Sequence, residues 1–293
     1  MVHTTRRVAI LPAKRRALIL DHLRANGATA IQELAEAIGG SQSTARRDLE
    51  HLVEGGYLER THGGAFLVSA LQATFERESS INAQVQRRQK IAIGRAAAAL
   101  LHPRESVIFE ASSTVAETVR AAISRKIPLT VITNSIDIAH LASGVNEWKV
   151  IMPGGTLRPG TGLLAGEPGD GFFKAVHADV CFTGAAAVTG MLLTDASLEV
   201  AAVKRAMIQS ARRSILLVDS SKFTAPAFCT FCDLSAVDEV VTDDGIDPDV
   251  LSSLRSLHAK VTVVTVDPEA SPTGRRERQH LDKSSHASEN AQA

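Results

Sequence analysis

The sequence predicts an α/β protein in two parts: a small helical head with a two-stranded hairpin, then a larger α/β domain with a mostly parallel sheet. Three observations carry this. The first 65 residues read as helix, helix, helix, hairpin. Residues 91–266 alternate short β-branched runs with helical segments, the pattern of a parallel sheet covered on both faces. A chain of 293 residues exceeds one typical domain, and its 44% apolar residues suffice for an ordinary core. The expected boundaries are a head at 1–70, a connector at 71–90, a second domain at 91–270 and a tail at 271–293.

In the head, the first helix is expected over residues 13–25, with Ile19, Leu20 and Leu23 inward and a stop at Asn26-Gly27. The second is expected over 30–38, capped by Thr29, with Ile31, Leu34, Ala35 and Ile38 inward. Gly39-Gly40 makes a tight turn, Ser41 caps the third helix, and Gly55-Gly56 ends it. Residues 57–60 and 65–69 flank Thr61-His62-Gly63-Gly64 as a short hairpin. The polar segment 75–89 lacks strand alternation and reads as connector.

In the second part, strands are expected at 107–109, 129–133, 149–152, 179–183, 214–218, 237–242 and 260–266, and helices near 88–101, 114–124, 136–142, 198–211 and 248–257. Ligands of such sheets sit beyond the carboxyl ends of the strands, here residues 110–114, 133–135, 153–156 and 219–223. Residues 271–293 are polar, lack aromatic side chains and are expected to be disordered.

Charge and composition exclude several classes. The 32 basic and 32 acidic side chains balance, which argues against a globally basic nucleic-acid coat but not a local basic face. Such a face is suggested at the start, where Arg6, Arg7, Lys14, Arg15, Arg16 and Arg24 stand against Asp21 alone. The longest uncharged stretch, 180–194, is too short to span a bilayer, and no signal-like segment opens the chain. The 3 cysteines fit a reducing cytoplasm, not a disulfide scaffold.

Placed at about 100° per residue, the third helix turns Ala45, Leu49, Leu52 and Val53 to one side. Ser43, Thr44, Arg47, Glu50 and His51 fall on the other, with Gln42 and Arg46 at its flanks. Short polar groups and two arginines at a helix start suit a major groove, where Arg bonds guanine edges or neutralises phosphate. The first turn offers its N–H groups to phosphate, and the hairpin forms a wing along the backbone. The DNA-contacting set is then Ser41, Gln42, Ser43, Thr44, Arg46, Arg47, Arg60 and His62. A solvated amphipathic helix is the competing explanation.

The run Ser41-Gln42-Ser43-Thr44-Ala45-Arg46-Arg47-Asp48-Leu49, followed by Gly56-Tyr57-Leu58-Glu59-Arg60-Thr61-His62-Gly63-Gly64-Ala65, resembles the signature of DeoR-type bacterial transcription regulators. It departs from the family pattern at Gly40 (usually Val) and Ala45 (usually Ile or Val), both losses of branched methyls from the turn core. The resemblance extends to about Asp244 through Phe75-x-Arg77, Lys90-Ile91-Ala92, Thr133-Asn134-Ser135, Gly154-Gly155, Val203-Lys204-Arg205-x-Met207, Asp219-Ser220-Ser221-Lys222-Phe223 and Val241-Thr242-Asp243. It implies a winged helix-turn-helix head and a sensor domain similar in fold to sugar-phosphate isomerases, responsive to phosphorylated sugars or related metabolites.

The residues agree with an anion site. Glu110-Ala111-Ser112-Ser113-Thr114 leads from a strand into a helix, where hydroxyls and N–H groups suit anionic oxygens. Lys222 adds a cation, and Asn134 at another strand end suits sugar hydroxyls. The competing explanation is that Ser113 or Thr114 merely caps its helix. The effector-binding set is Glu110, Ser112, Ser113, Thr114, Asn134, Gly154, Gly155, Asp195, Lys204 and Lys222. The family's usual Gly is replaced by Ser112, which narrows the anion loop.

Cys229-x-x-Cys232 lacks partner ligands and reads as inert thiols. Gly160-x-Gly162-x-x-x-Gly166 is off a dinucleotide fingerprint and reads as a flexible loop over the pocket. His102 and His177 read as structural or exposed. The expected function is a transcription regulator, a repressor of a carbohydrate or related catabolic operon, not an enzyme, without cofactor or metal. Its partners are double-stranded operator DNA and a small phosphorylated sugar or polyol. It is expected to be a homo-oligomer, because such heads bind paired half-sites. The alternative is a sugar-phosphate isomerase-like enzyme with an accessory head, in which Glu110, Asp195 or Glu199 would serve as base.

Overall fold

The computed structural model describes residues 10–26, 28–60, 64–67, 79–158, 160–257 and 260–267. Helix α1 (Pro12–Asn26), strand β1 (Thr29–Ala30), helices α2 (Ile31–Ala37) and α3 (Gln42–Glu54), and strands β2 (Leu58–Arg60) and β3 (Gly64–Leu67) form the head. Its core joins Ile19, Leu20 and Leu23 of α1 to Leu34, Ala35 and Ile38, to Ala45, Leu49 and Leu52 of α3, and to Leu58 and Ala65 of the wing. Ser41 caps α3, its hydroxyl accepting the Thr44 amide at 3.2 Å, as its place after the glycine doublet predicts.

Thr29 corrects one expectation. It is not the α2 cap: Ala30 takes that position without a side-chain bond, because Thr29 pairs with Ala65 as a third strand of the wing sheet. The pairing is tight enough that a Cβ at Gly64 would stand 2.0 Å from the Thr29 carbonyl oxygen. The connector is also more built than its polarity suggests. Short helix α4 (Ser79–Asn82) packs on α1, and Ile81 and Val85 are buried in the head's core. Two apolar side chains in a polar run carry no periodicity, so sequence alone could not reveal the docking. The hairpin turn 61–63 with His62, residues 71–78, Arg6, Arg7 and the tail 271–293 lie outside the described residues.

The second part opens with α5 (Arg87–Ala99). It continues through β4 (Ser106–Phe109), α6 (Ser113–Ile123), β5 (Leu129–Thr133), α7 (Ile136–Ser143) and β6 (Trp148–Ile151). A hairpin of β7 (Thr156–Leu157) and β8 (Leu164–Ala165) precedes α8 (Gly169–Phe173) and β9 (Ala178–Thr183). Strands β10 (Ala187–Thr189) and β11 (Leu192–Asp195) lead to α9 (Leu198–Gln209) and β12 (Ala211–Leu217). Strands β13 (Cys229–Asp233) and β14 (Glu239–Asp243), α10 (Pro248–Leu257) and β15 (Val261–Val264) complete it.

The seven strands predicted from β-branched runs form one parallel sheet in the order β15-β14-β12-β9-β4-β5-β6. Strand alternation covers both faces. Phe109, Val131, Phe182 and Leu217 meet α5, α6 and α7 on one side. Ile108, Ile132 and Cys181 meet Val203 and Met207 of α9 on the other. The small sheet β10-β11-β13 was not predicted, because its short strands carry no long apolar run.

Helices α5 and α6 cross at Gly94, where a Cβ would sit 2.6 Å from the Glu117 backbone. Glycine in a helix interior normally weakens it, so the close crossing explains its presence. Gly94→Ala is expected to destabilise the protein by about 1–3 kcal/mol through overpacking, read as a lower urea midpoint. An unchanged midpoint would show that the two helices can separate freely. Among the described residues, no helix is long and apolar enough to cross a membrane.

Candidate functional site

On α3 the predicted division holds. Ala45, Leu49 and Leu52 are buried, while Gln42, Ser43, Arg46, Arg47 and Glu50 are exposed. Thr44 is half-buried and shares a 3.0 Å hydroxyl contact with Ser41, so both belong to the cap as well as to the helix start. Arg60 of β2 donates to the Glu50 carboxylate at 3.2 Å, binding the wing to α3 beside the exposed face.

The basic N-terminal segment needs one correction. Arg15 and Arg16 are not free for phosphate, since both pair with Asp48, at 2.7 and 3.2 Å. Asp48 is buried on the inward side of α3, where an unpaired carboxylate would be costly, and the two guanidiniums compensate it. Helical spacing alone puts Asp48 near the apolar seam, but the arginines come from more than 30 residues away, so the pairing was not legible.

In the sheet, the chain runs outward from β4 through β5 to β6, then returns to add β9, β12, β14 and β15 on the other side. The topological switch point therefore lies between β4 and β9, where open α/β sheets place their ligand crevice. Residues 110–114 and Gly184 stand there. Ser112, not Ser113 or Thr114, is the α6 cap: its hydroxyl accepts the Val115 amide at 3.2 Å. The Ser112 side chain also fills the space against Gly184, whose added Cβ would lie 2.7 Å from the Ser112 hydroxyl oxygen. The first backbone bond of α6 runs from Ala116 N–H to the Ser112 carbonyl, so the Ser113 and Thr114 N–H groups lack a helical acceptor. N–H groups of this kind at a helix start are suited to an anion.

Three predicted effector residues meet beneath it. Lys204 of α9 donates to Asp195 at 2.7 Å and to the Gly184 carbonyl at 3.0 Å, and lies 3.6 Å from Glu110. Glu110 accepts the Gly184 amide at 3.1 Å, and all three side chains are buried. Burial disfavours the Lys204 charge, but Asp195 and Glu110 more than offset this and hold its pKa above the ordinary lysine value. Burial raises the Glu110 carboxyl above its usual range, and Lys204 opposes this without cancelling it. One cation faces two carboxylates, so a proton on Glu110 leaves a neutral pair.

The pH dependence follows. A raised acid contributes stability fully below its unfolded pKa, about 4.3, and loses it as pH rises through the elevated folded value. Glu110→Gln cannot ionise, so its stability relative to wild type is expected to climb as pH rises from about 4. Urea midpoints across that range check it, and a pH-independent difference would show that Glu110 ionises normally.

Other predicted residues serve the frame. Asn134 uses both ends of its amide, accepting from Ala111 N–H and donating to the Leu164 carbonyl, each at 3.1 Å. These two bonds fix the amide's orientation and leave one N–H and one oxygen lone pair unused by them. Gly154 and Gly155 adopt positive φ, and a Cβ on Gly155 would approach the Ala165 carbonyl to 2.9 Å. They bring the β7–β8 hairpin back over the β5 end. That hairpin, expected as a flexible loop, is pinned by Ile136 N–H to Gly162 O at 2.9 Å and by Arg158 to Ser197 and Glu199. Lys222 stands on a 3-10 turn after β12, one strand beyond β9, beside Asp219. Gly184 is not singled out by the sequence, since it offers only backbone, and Lys90 enters only as part of the run Lys90-Ile91-Ala92, without a role.

Among the described residues no cluster of His, Cys, Asp and Glu could hold a metal. The three cysteines are free, Cys181 buried and Cys229 and Cys232 half-buried.

Comparison with known proteins matches the chain in two segments. The family model of the DeoR-like helix-turn-helix domain matches residues 15–70, and that of the DeoR C terminal sensor domain matches 85–244. The HTH-type transcriptional regulator GlpR of Haloferax volcanii is 31% identical over 264 residues, covering 87% of this chain and 98% of the relative. The HTH-type transcriptional repressor GlcR of Bacillus subtilis is 32% identical, covering 77% and 86%. The transcriptional repressor AccR of Agrobacterium fabrum is also 32% identical, covering 79% and 89%. Among solved structures, ribose 5-phosphate isomerase A of Methanocaldococcus jannaschii matches at TM-score 0.35 and 18% identity, covering 46% of this chain and 53% of that one. A superposition that loose bears on no activity. With both domains matched in order and relatives spanned almost end to end, the chain belongs to the DeoR family of transcriptional regulators.

Proposed function

We propose that this regulator is a repressor of a carbohydrate or related catabolic operon, released or retained on its operator by a small phosphorylated sugar-like effector. The solvent face of α3 carries the proposal: Ser43, Arg46 and Arg47 stand exposed opposite a buried seam, with the wing beside them. That face presents bidentate donors to guanine edges and cations to phosphate. His62, expected from the sequence as a further DNA contact, belongs to the same proposal.

The effector enters the crevice between β4 and β9. Its anion meets the Ser113 and Thr114 N–H groups and Lys222, while Ser112, Asn134, Gly154 and Gly155 shape the walls. Glu110, Asp195 and Lys204 hold the floor. The head at 1–70, the connector at 71–90 and the sensor at 91–270 divide the labour. Relatives named as repressors of sugar-related systems support the sign of regulation, among them a lactose phosphotransferase system repressor of Lactococcus lactis. Paired half-sites call for a homo-oligomer, working in the cytoplasm. On this reading the protein is not an enzyme: of the three carboxylates suited to a base, Glu110 and Asp195 are buried against Lys204 and Glu199 pairs with Arg158.

A gel-shift titration against DNA upstream of its own gene, at fixed salt, tests the head. Binding no tighter than to random duplex would defeat the regulator reading. A thermal-shift panel of phosphorylated sugars and polyols tests the sensor, because ligands of the native state raise its melting point. Aldose–ketose interconversion at ordinary enzymatic rates would overturn the non-enzyme assignment.

A further inference from the structure

The two edges of the large sheet are unlike. One edge, β6, carries exposed Lys149 within the strand and Pro153 just beyond it. Lysine and proline are common guards of an edge, because a charge or a missing N–H discourages another strand from pairing there. The other edge, β15, has neither: from Val261 to Val266 the chain reads Val-Thr-Val-Val-Thr-Val. The lysine that precedes it, Lys260, turns its ammonium to the buried carboxylate of Glu239 at 2.7 Å. Uncharged β-branched residues suit a strand that is paired on both sides. Strand β15 also lies past residue 244, where the match to the sensor domain ends.

The outward bonding groups of β15 can be located. The Lys260 and Val264 carbonyls accept from the Val240 and Asp244 N–H groups, both at 3.0 Å, and the Val266 N–H donates to the Asp244 carboxylate at 3.4 Å. Alternate residues of a strand in a parallel ladder bond the same neighbour, so residues 260, 262, 264 and 266 face β14. Val261, Val263 and Thr265 then direct their N–H and C=O groups outward, where among the described residues no strand receives them. Charge is arranged along the same edge, with exposed Lys260 at its start and exposed Asp267 at its end. Between α5 and this end of β15 lies a cavity of about 280 Å³, lined by Ile91, Ala92 and Ala96 of α5 and by Val264 and Val266.

We propose that the β15 edge is the surface on which a second copy of this chain docks, the two β15 strands pairing antiparallel about a two-fold axis at Val263. Such a contact is isologous, so the edge must be complementary to itself. It is so in bonding groups: Val263 exchanges N–H and C=O with the partner's Val263, and Val261 with the partner's Thr265. It is so in side chains, because these pairs set β-branched groups directly opposite one another. It is so in charge, because the two-fold brings Asp267 of each chain beside Lys260 of the other, whereas a copy laid parallel would oppose like charges. Val264 packs on the α5 side of the sheet, so the partner's Thr262, opposite it, covers the cavity on that face. The inference rests on the regulator reading above, which calls for a homo-oligomer, and names the surface that forms it.

The test uses the full-length protein as wild type, Val263→Pro and Asp267→Lys. Mass by light scattering and deuterium uptake over 260–266 are both read from about 0.5 to 50 µM. Wild type is expected to lose protection in that segment on dilution, in step with its mass, because only the partner covers the outward amides. Val263→Pro removes an outward N–H and none that β14 uses, so it should fold and raise the dissociation constant of the pair at least tenfold. Asp267→Lys should raise it at least threefold at low salt and less at high salt. Protection of 260–266 that does not change with concentration would assign the edge to this chain's own residues beyond 267 and overturn the proposal. An oligomer whose dissociation constant Val263→Pro leaves within twofold of wild type overturns it as well. Should Val263→Pro fail to fold, wild-type exchange and Asp267→Lys decide it, an unchanged constant for the latter overturning it. A wild type that is monomeric throughout sinks both the surface and the homo-oligomer. One that associates through 260–266 yet binds no operator sinks the regulator reading alone, so the two failures are distinguishable.

Discussion

Arg47→Ala is expected to raise the operator dissociation constant about 10- to 100-fold, the ~1–3 kcal/mol carried by one bidentate arginine contact to a base. Arg47 is exposed on the face of α3 opposite the buried Ala45, Leu49 and Leu52, so its removal leaves the head's core untouched. The unfolding midpoint should stay within experimental error, and thermal shifts by sensor ligands should be unchanged. Fluorescence anisotropy on a labelled operator checks the first point, with mismatched operators as the refinement. If Arg47 reads a base, the variant loses discrimination at one position. If it contacts phosphate, affinity falls evenly across sequences and the salt slope drops by about 1. Undiminished binding would move the DNA contact away from α3.

Lys204→Met is expected to cost about 3–5 kcal/mol of folding stability, the usual result of removing one partner from a buried ion pair. The side chain is 6% exposed and stands between carboxylates that are 2% and 8% exposed, so water cannot replace it. Such a loss is a large share of the ~5–15 kcal/mol that holds a typical domain. Glu110 can take up a proton, which its raised pKa already favours, but Asp195 is left facing an empty place. Adding Asp195→Asn to Lys204→Met should therefore recover part of the loss. Urea midpoints of the single and double variants measure it, and a single variant within about 1 kcal/mol of wild type would show that the triad is solvated in solution. The same triad ties α9 to the β4 and β9 ends through the Gly184 amide and carbonyl, so a milder Lys204 variant should also disturb effector binding.

Much of the architecture was legible from local signals. Glycine doublets, Ser41 and amphipathic spacing defined α3 and its exposed face, because a cap and a stripe are properties of a dozen neighbouring residues. The seven strands of the large sheet were visible as β-branched runs, because strands buried on both faces need apolar side chains at every position. Even the carboxyl ends of those strands, and with them residues 110–114, followed from the parallel arrangement.

Contacts between distant segments were decided only by the tertiary structure. Whether Ser112 caps α6 or faces a ligand depends on how the chain leaves β4 and on Gly184, contributed by β9. Asn134 looks like a ligand group in sequence and becomes a strut because Ala111 and Leu164 approach its two ends. Arg15, Arg16 and Lys90 look like solvent-facing cations. The first two are instead drawn to Asp48, far along the chain, and the third to the Asn82 carbonyl of the connector. A side chain's type and period say which face it prefers. The partner that neutralises its charge is chosen by packing, and packing is a property of the folded whole.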